Sequence, residues 1–221
     1  MRALGLMSGT SMDGISLALL ETDGESVAER GPAMTFPYNS GQRAAIIRAA
    51  GEARELTVRT DRPGSMAATE EMLTGLHAAA IDGFLKQHGV ARSHIDVVGF
   101  HGQTVLHRPD QGLTVQLGDG RKLAELSGLT VVHDLRGRDV EAGGQGAPLV
   151  PAYHRALVAG LAQRPVAIVN IGGVANVSYI GRDGSLIAFD TGPGNALIDD
   201  WMMKRLGVAY DRDGATAAKG K

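Results

Sequence analysis

The chain has 221 residues, which is enough for one large domain or two modest ones. Its hydrophobic fraction of 43% supplies a core, and its formal net charge of -2 excludes nucleic-acid binding through a strongly basic face. Because the chain has no cysteine, disulfides, cysteine-ligated zinc, iron–sulfur clusters and thiol catalysis are excluded as well. No apolar run approaches the ~18 residues of a membrane span, and the first residues lack the pattern of a signal peptide. We therefore expect a cytoplasmic protein with no membrane or nucleic-acid partner.

The hydrophobic pattern predicts strands and helices that alternate along the chain. In the first part it predicts strands over 2–9, 15–22 and 26–36, helices over 40–51 and 66–89, strands over 95–102 and 114–118, a helix over 121–128, a strand over 129–135 and a helix over 150–161. After Pro165 the pattern restarts with strands over 166–173, 175–181 and 185–192 and a helix over 196–207. Helices that cover a largely buried sheet indicate an α/β fold. The restart predicts two domains, residues 1–164 and residues 165–221.

Two stretches, "GLMSGTSMDGISLALLE" (5–21) and "VAIVNIGGVANVSYIG" (166–181), share the order strand, glycine-containing polar tip, strand. Two-residue β-hairpin turns favour Asn-Gly or Asp-Gly, whereas these tips combine glycine with small hydroxyl or amide residues. The whole chain has 31 glycines, about twice the usual ~7% share, and backbone N–H groups exposed at such tips suit phosphate oxygens. Two such hairpins, each opening its own sheet, could hold a polyphosphate from both sides. The alternative is two ordinary hairpins with no shared function.

The first tip offers side chains for such a site. Thr10 and Ser11 can donate hydrogen bonds to phosphate, and Asp13 can hold Mg²⁺ through water. Two other phosphate motifs are absent: there is no G-x-x-x-x-G-K-[ST], and no G-x-G-x-x-G follows a first strand with an acidic residue ~20 residues later. The sequence therefore supports neither a Walker-type loop nor a dinucleotide-binding fold.

The twin hairpins resemble the superfamily of actin, sugar kinases and heat-shock chaperones, whose members place one phosphate hairpin in each of two duplicated domains. Six strings that span nearly the whole chain in order resemble, more narrowly, the anhydro-N-acetylmuramic acid kinase family: "GLMSGTSMDGIS", "GFHGQTVLHRP", "VQLGD", "DLRGRDVEAGGQGAPLVPAYH", "VNIGGVANVSYI" and "FDTGPGNALIDDW". The resemblance implies an actin-like ATPase (ribonuclease H-like) fold with duplicated domains, the second of them truncated in this chain. Family members continue well beyond these residues, so we expect the adenosine pocket to lie outside them and the 221 residues alone to lack kinase activity.

The activity that the resemblance implies is that of a kinase of cell-wall recycling that uses ATP and Mg²⁺. It opens the 1,6-anhydro bridge of anhydro-N-acetylmuramic acid with water and phosphorylates the freed O6, which gives N-acetylmuramic acid 6-phosphate and ADP. The implied nucleotide contacts are Gly9, Thr10, Ser11, Met12, Asp13, Gly14, Ile15, Ser16, Gly172, Gly173 and Asn176. The partner is a small sugar, and a symmetric homodimer is the common default. Two alternatives stay open: a non-catalytic sugar or nucleotide sensor on the same scaffold, and another phosphotransferase of the superfamily, such as a hexose or acyl-phosphate kinase.

Asp190 is the candidate catalytic residue. The sequence "IAFDTGPGNALIDDW" places it at the end of a predicted buried strand, before a Gly-Pro-Gly turn and a helix that Asn195 caps. Strand ends beside a phosphate loop are where α/β folds place their chemistry, whereas the plain alternative is an acid that caps the loop. The resemblance implies that Asp190 is the base that takes a proton from the attacking water.

The "HGQT" string is expected to form a loop that follows a buried strand. His101 and Gln103 can each bond a sugar hydroxyl or amide, or they can hold the loop together. A metal site at His101 and His107 is not supported, because these histidines are six residues apart with no acid or thiol completing a set.

The string "DLRGRDVEAGGQGAP" adds further candidate sugar contacts. Arg136 and Arg138 can offset the charge of the lactyl carboxylate of the sugar and of ATP, and Gln145 can bond the substrate. Alternatively, Asp134 and Asp139 pair with these arginines and make them structural.

The last predicted helix is read as a structural element. Its apolar stripe is expected to pack in the core and consists of Leu197, Ile198, Trp201 and Met202. Asp199 and Asp200 lie in its first turn, where acidic side chains are favourable against the helix dipole, and no chemistry is assigned to them.

Overall fold

The computed structural model describes residues 1–25 and 28–220. The strands are β1 (Arg2–Ser8), β2 (Gly14–Thr22), β3 (Ala28–Pro37), β4 (Val97–Arg108), β5 (Leu113–Leu117), β6 (Val131–His133), β7 (Val166–Ile171), β8 (Val174–Ile180) and β9 (Leu186–Pro193). The α-helices are α1 (Ser40–Glu52), α2 (Met66–His88), α3 (Gly120–Ser127), α4 (Leu135–Glu141), α5 (Pro151–Leu157) and α6 (Ala196–Leu206). Short 3-10 turns cover Ala53–Glu55, Arg92–His94, Pro109–Gln111, Arg212–Gly214 and Ala217–Lys219. This composition confirms the α/β class, while residues 26 and 27 of the third predicted strand lie outside the described residues.

The chain divides into two compact units, Met1–Leu149 and Val150–Lys221. The first unit contains a six-stranded sheet in the order β3-β2-β1-β4-β5, with β6 pairing with β4. Strands β1, β2 and β3 form an antiparallel meander, and β4 runs parallel to β1. Because β4 is long, its first half pairs with β1 and β6 and its second half pairs with β5. The end of β1 therefore lies beside the middle of β4.

Helix α2 packs one face against this sheet. Leu73, Ala80 and Phe84 are buried, and Gly89 ends the helix in the left-handed conformation that favours glycine. Phe84 packs with Leu4 and Leu17 of the sheet in one apolar cluster. Burial of one large apolar side chain stabilises the folded state by about 1.5–3 kcal/mol. The packing of α2 on the sheet therefore fixes β1 and β4 in place.

The second unit contains the antiparallel sheet β7-β8-β9 with α5 packed against it. His154 of α5 shares a hydrogen bond of 2.8 Å with Ser178 of β8, and both side chains are buried. Each unit thus contains three consecutive antiparallel strands followed by a helix. Helix α5 belongs to this unit, whereas the sequence placed it before a boundary at residue 164.

Two expectations about local structure are wrong, and one helix was not predicted. The "HGQT" string is not a loop, because β4 continues through it to pair with β5. Helix α4 was not predicted, and its Gly137 packs closely against Arg59 and Asp134. The stripe on α6 is not core in this chain, because Leu197, Ile198 and Trp201 are 64%, 56% and 49% exposed and only Met202 is buried. Within the two described ranges, no helix is long and apolar enough to cross a membrane.

Candidate active site

The tip of the first hairpin is a tight turn between β1 and β2. The Met12 backbone N–H donates to the Gly9 carbonyl oxygen at 3.1 Å, and Met12 has a left-handed φ of 53°. A non-glycine residue rarely adopts this conformation, so the turn is strained at this point. Gly14 is required for steric reasons, because a Cβ there would lie 2.5 Å from the carbonyl oxygen of Phe36.

The polar side chains of this tip are open to solvent. Thr10, Ser11 and Asp13 are exposed, and the Ser11 hydroxyl donates to the Asp13 carboxylate at 2.8 Å. The described residues contain no group of three or more acidic or histidine side chains that could hold a metal ion by themselves. Mg²⁺ at a kinase site needs only one or two carboxylates together with substrate phosphates, so Asp13 fits such a site.

Gln103 lies behind the tip rather than in a cleft. Its side chain is 0% exposed, and its amide bonds the Ser8 hydroxyl at 2.5 Å and the Gly9 carbonyl oxygen at 3.2 Å. The Ser8 hydroxyl also contacts the Tyr38 hydroxyl at 2.8 Å, and burial, the largest cause, raises the pKa of Tyr38. The structure therefore brings Gln103 together with the predicted phosphate hairpin.

His101 lies in the middle of β4 and holds Arg136. Its Nδ1 lies 2.7 Å from the Gly102 carbonyl oxygen, which can only accept, so Nδ1 carries the proton. Its Nε2 then accepts from Nε of Arg136 at 2.7 Å. Burial first, and the Arg136 charge second, lower the pKa of His101, which keeps the ring neutral. Both ring nitrogens are thus engaged within the protein.

The "GGQGAP" segment is attached to α4 through both backbone groups of Gly146. The Gly146 carbonyl oxygen accepts from Arg136 at 2.5 Å, and the Gly146 N–H donates to the Asp139 carboxylate at 2.7 Å. Gln145, the residue before Gly146, is exposed. Arg138 of α4 is exposed as well. The predicted contacts His101, Arg136 and Gln145 therefore lie on or beside one fixed segment.

Asp134 makes a bidentate pair with an arginine that the sequence had not singled out. Its carboxylate oxygens lie 2.5 and 2.8 Å from the Arg59 guanidinium, which also lies 3.2 Å from Glu141. The sequence left open that Asp134 and Asp139 pair with Arg136 and Arg138. The structure pairs Asp134 with Arg59 instead. Arg59 could not be found from the sequence because it lies 75 residues away from Asp134.

A polar cavity of about 270 Å³ lies beside His101 in the first unit. One buried atom among its lining residues, Oε1 of Gln116, has no hydrogen-bond partner within residues 1–25 and 28–220. The side chains that line the cavity and that the sequence did not predict include Arg59, Arg62, Gln116, Arg121 and His133. Of these five residues, Gln116 lies in one of the strings that carry the family resemblance, "VQLGD".

In the second unit, the second polar tip is joined to the turn after β9. The N–H groups of Gly194 and Asn195 donate to the carbonyl oxygens of Gly173 and Gly172 at 2.9 and 2.8 Å. A Cβ on Gly194 would lie 2.1 Å from the Gly172 carbonyl oxygen, so this junction requires glycine. The polar tip and the Gly-Pro-Gly turn thus form one backbone surface.

Asp190 lies on β9 directly opposite Asn176 of β8. The pairing of the two strands shifts register between Ala175 and Asn176, next to this pair. Asp190 is exposed, and no residue of β9 is buried, so the expectation of a buried strand is wrong. Asn195 occupies the N-cap position of α6, but its side chain makes no capping bond. The unit therefore brings Asp190 together with Asn176, one of the predicted nucleotide contacts.

The family model described as "Anhydro-N-acetylmuramic acid kinase" matches residues 1–221. The chain belongs to this family. It is 57% identical to the anhydro-N-acetylmuramic acid kinase of Azorhizobium caulinodans, with 100% of this chain and 60% of the relative covered. It is 54% identical to the protein of that name from Methylobacterium nodulans, with coverages of 100% and 62%. The chain thus spans about 60% of the length of the curated relatives that it matches.

Solved structures resemble the chain more weakly. The activator of the 2-hydroxyisocaproyl-CoA dehydratase from Clostridium difficile has a TM-score of 0.44 at 15% identity, with 100% of this chain and 58% of that one covered. The ethanolamine utilization protein EutJ from Carboxydothermus hydrogenoformans has a TM-score of 0.40 at 16% identity, with coverages of 100% and 62%. Family membership rests on the sequence match.

Proposed function

We propose that the full-length protein containing this chain is an ATP-dependent kinase that opens the 1,6-anhydro ring of anhydro-N-acetylmuramic acid and phosphorylates O6. The observation that carries the proposal is the family match over all 221 residues. The chain retains Asp190, which a non-catalytic sensor would have no need to keep, whereas such a sensor could keep the glycine-containing tips. The proposal covers the whole protein, because the chain spans only about 60% of its relatives.

The first tip supplies one half of the proposed ATP site. Its exposed residues Thr10 and Ser11 hydrogen-bond phosphate oxygens, and the backbone from Gly9 to Ser16 approaches the phosphates closely. The second tip contributes Gly172, Gly173 and Asn176 in the same way. Asp13 would hold Mg²⁺ through water, and the ion, when bound, offsets the negative charge of the phosphates.

The sugar contacts in this proposal divide into two kinds. Arg138 and Gln145 are exposed and bond the sugar directly, the arginine through the lactyl carboxylate. His101 and Arg136 contribute mainly by holding the segment around Gly146, because their hydrogen bonds are made to the protein.

Asp190 acts as the general base in this proposal. It takes a proton from a water molecule while the water oxygen bonds to the anomeric carbon and the bond between that carbon and O6 breaks. O6 attacks the γ-phosphate in line and leaves as the phosphate ester, with ADP as the second product. General-base assistance of this kind is worth roughly 10²–10⁴-fold in rate.

The test is phosphate transfer from ATP to the anhydro sugar by the full-length protein, with the product resolved by mass. We expect the product to gain one phosphate and one water relative to the substrate. A gain of phosphate alone, or a preference for ordinary hexoses in a panel of sugars, would support another phosphotransferase of the superfamily. ADP formation without any sugar product would contradict the proposal.

The cytoplasm as the compartment and a homodimer as the assembly are further parts of this proposal. A symmetric dimer is the commonest assembly of soluble proteins. Sedimentation of the full-length protein tests the dimer, and cell fractionation tests the compartment.

A further inference from the structure

We propose that Gln103 is a positioning residue of the nucleotide hairpin: its buried amide holds the Gly9 carbonyl and thereby fixes the tip from Gly9 to Asp13. The inference rests on the proposed function, in which this tip binds the phosphates of ATP. It replaces the direct sugar contact that the sequence predicted for Gln103.

The Gln103 amide is fully used inside the protein. Its oxygen accepts from the Ser8 hydroxyl at 2.5 Å, and its nitrogen donates to the carbonyl oxygens of Gly9 and Thr104 at 3.2 and 3.1 Å. Gln103 and Ser8 are 0% and 1% exposed. A side-chain amide has two N–H donors and one oxygen, and here all three groups have protein partners. No polar group of Gln103 is left to bond a sugar.

The direction of each bond in this network is determined by its ends. The two carbonyls can only accept, so the nitrogen of the amide must face Gly9 and the oxygen must face Ser8. The Ser8 hydroxyl has one proton and donates it to that oxygen. The Tyr38 hydroxyl, which lies 2.8 Å from the Ser8 hydroxyl, must therefore be the donor in their hydrogen bond. The result is a directed chain from Tyr38 through Ser8 to Gln103, which holds the amide in one orientation.

The network lies where the backbone pairing of β1 with β4 changes register, between Leu6 and Ser8. A local irregularity of this kind re-aims side chains and weakens the backbone ladder. The Ser8 to Gln103 bond joins the two strands at the point where the ladder is interrupted. It therefore connects the end of β1 to the rigid middle of the sheet.

The Gly9 carbonyl is the point at which the tip is anchored. It accepts from Gln103 and also from the Met12 N–H, which closes the strained turn. Without the Gln103 bond, this carbonyl loses one of its two donors and the peptide after Gly9 can rotate. The N–H groups of the tip would then point at phosphate for a smaller fraction of the time.

The experiment compares Gln103→Met with wild type in the full-length protein and measures the KM for ATP, the KM for the sugar and kcat. Methionine keeps the length of the side chain and removes all three hydrogen bonds. We expect the KM for ATP to rise about tenfold, with the KM for the sugar within about twofold. A rise in the KM for the sugar with the KM for ATP unchanged would restore the sugar contact and overturn the proposal.

The matched control is Ser127→Ala, which removes a buried hydroxyl of α3 that bonds the Leu123 carbonyl. It lowers stability without touching the tip, so its KM for ATP should equal that of wild type. If Gln103→Met does not fold, Ser8→Ala removes only the donor that orients the amide and should raise the KM for ATP severalfold. An unchanged KM for ATP in Ser8→Ala would then overturn the proposal.

Gly9→Val separates failure of this proposal from failure of the hairpin assignment. If Gly9→Val weakens ATP binding and Gln103→Met does not, only the positioning role is wrong. If neither variant affects ATP, the tip does not bind the nucleotide and this part of the proposed function is wrong as well.

Discussion

The two units of the chain bury their apolar residues to different extents. In the first unit, Phe84 and Phe100 are 0% and 2% exposed, whereas Phe189 and Trp201 in the second unit are 52% and 49% exposed. Among the described residues, the buried apolar side chains of the second unit are Val158, Ile180 and Met202. The first unit therefore has a buried apolar core of its own, whereas few of the described apolar side chains of the second unit are buried.

Several exposed apolar residues of the second unit share one face of its sheet. Val169, Val177 and Phe189 are paired across the three strands, and Tyr179 is paired with Ile187 on the same face. Val169, Ile187 and Phe189 are each more than half exposed. An apolar face of this kind needs a covering partner in a soluble protein. The two units thus differ in how far their apolar residues are buried, although each has a glycine-containing polar tip.

The largest effect is expected from Asp190→Asn, which tests whether the second unit supplies the base. Turnover of the full-length protein should fall by roughly 10²–10⁴-fold, because the amide cannot take a proton from water. ATP binding should survive, since the side chain keeps its shape and the first tip is untouched. Asp200→Asn on α6 is the matched control and should turn over like wild type. Turnover of Asp190→Asn within a few fold of wild type would exclude Asp190 as the base.

The difference in burial predicts different behaviour of the two units in solution. We expect residues 1–221, expressed alone, to self-associate through the exposed face of the second unit and to lack kinase activity. Residues 1–149 should stay monomeric, because their core is closed. Size-exclusion chromatography and a coupled ADP assay check both parts. Phe189→Ser should reduce the association, and a monomeric 1–221 that phosphorylates the anhydro sugar would contradict this account.

The buried histidine of the first unit should make that unit sensitive to acid. His77 donates from Nδ1 to the Leu73 carbonyl at 2.7 Å, and its buried Nε2 has no partner within the described ranges. Burial lowers the pKa of His77 from 6.5 to about 4. As the pH falls, this histidine is protonated in the unfolded chain at a higher pH than in the folded chain. The free energy of unfolding is therefore highest above pH about 6.5 and decreases as the pH drops towards 4.

The expected loss is on the order of 3 kcal/mol in the free energy of unfolding. Urea unfolding of residues 1–149 between pH 7 and pH 4 measures it. His77→Leu should flatten most of the dependence, leaving a smaller slope from His101, whose pKa burial also lowers. His94→Gln is the control, since His94 is exposed, and it should keep the wild-type slope. A wild-type slope in His77→Leu would show that another group is responsible.

The smallest effects are expected from two glycine-to-valine substitutions, one in the first tip and one in the turn joined to the second tip, which should separate ATP binding from folding. Gly9 has open space around its Cβ position, with the nearest atom, Ser11 Oγ, 3.6 Å away, so Gly9→Val should keep the fold and weaken ATP binding about tenfold. Gly194→Val should instead destabilise the second unit by about 1–3 kcal/mol, because its Cβ meets the Gly172 carbonyl. Calorimetry with ATP and thermal unfolding measure the two outcomes. Unchanged ATP affinity in Gly9→Val would remove the first tip from the nucleotide site.

The sequence predicted the parts of the fold that depend on local patterns. The period of α2 with its glycine stop and the restart of the strand pattern after Pro165 are both present in the structure. It could not predict that β4 runs through "HGQT", because that extension depends on pairing with β5. The exposure of Trp201 was also missed, since an apolar stripe has the same pattern whether or not its partner is present.

The sequence left two roles open for Gln103 and His101, which were contact with the sugar or bonds that hold their own segment together. The structure engages their polar groups with Ser8, Gly9 and Arg136. Such roles depend on contacts between residues that are 35 to 95 positions apart. A single sequence gives no information on contacts of this range.

The central claim is that water opens the anhydro ring while O6 receives the phosphate, with Asp190 as the base. The most direct measurement is turnover of the full-length protein in ¹⁸O-labelled water, followed by mass spectrometry of the sugar phosphate and of its fragments. The account predicts one labelled oxygen on the anomeric carbon and none in the phosphate group. Label in the phosphate group, or a sugar product without label, would contradict it.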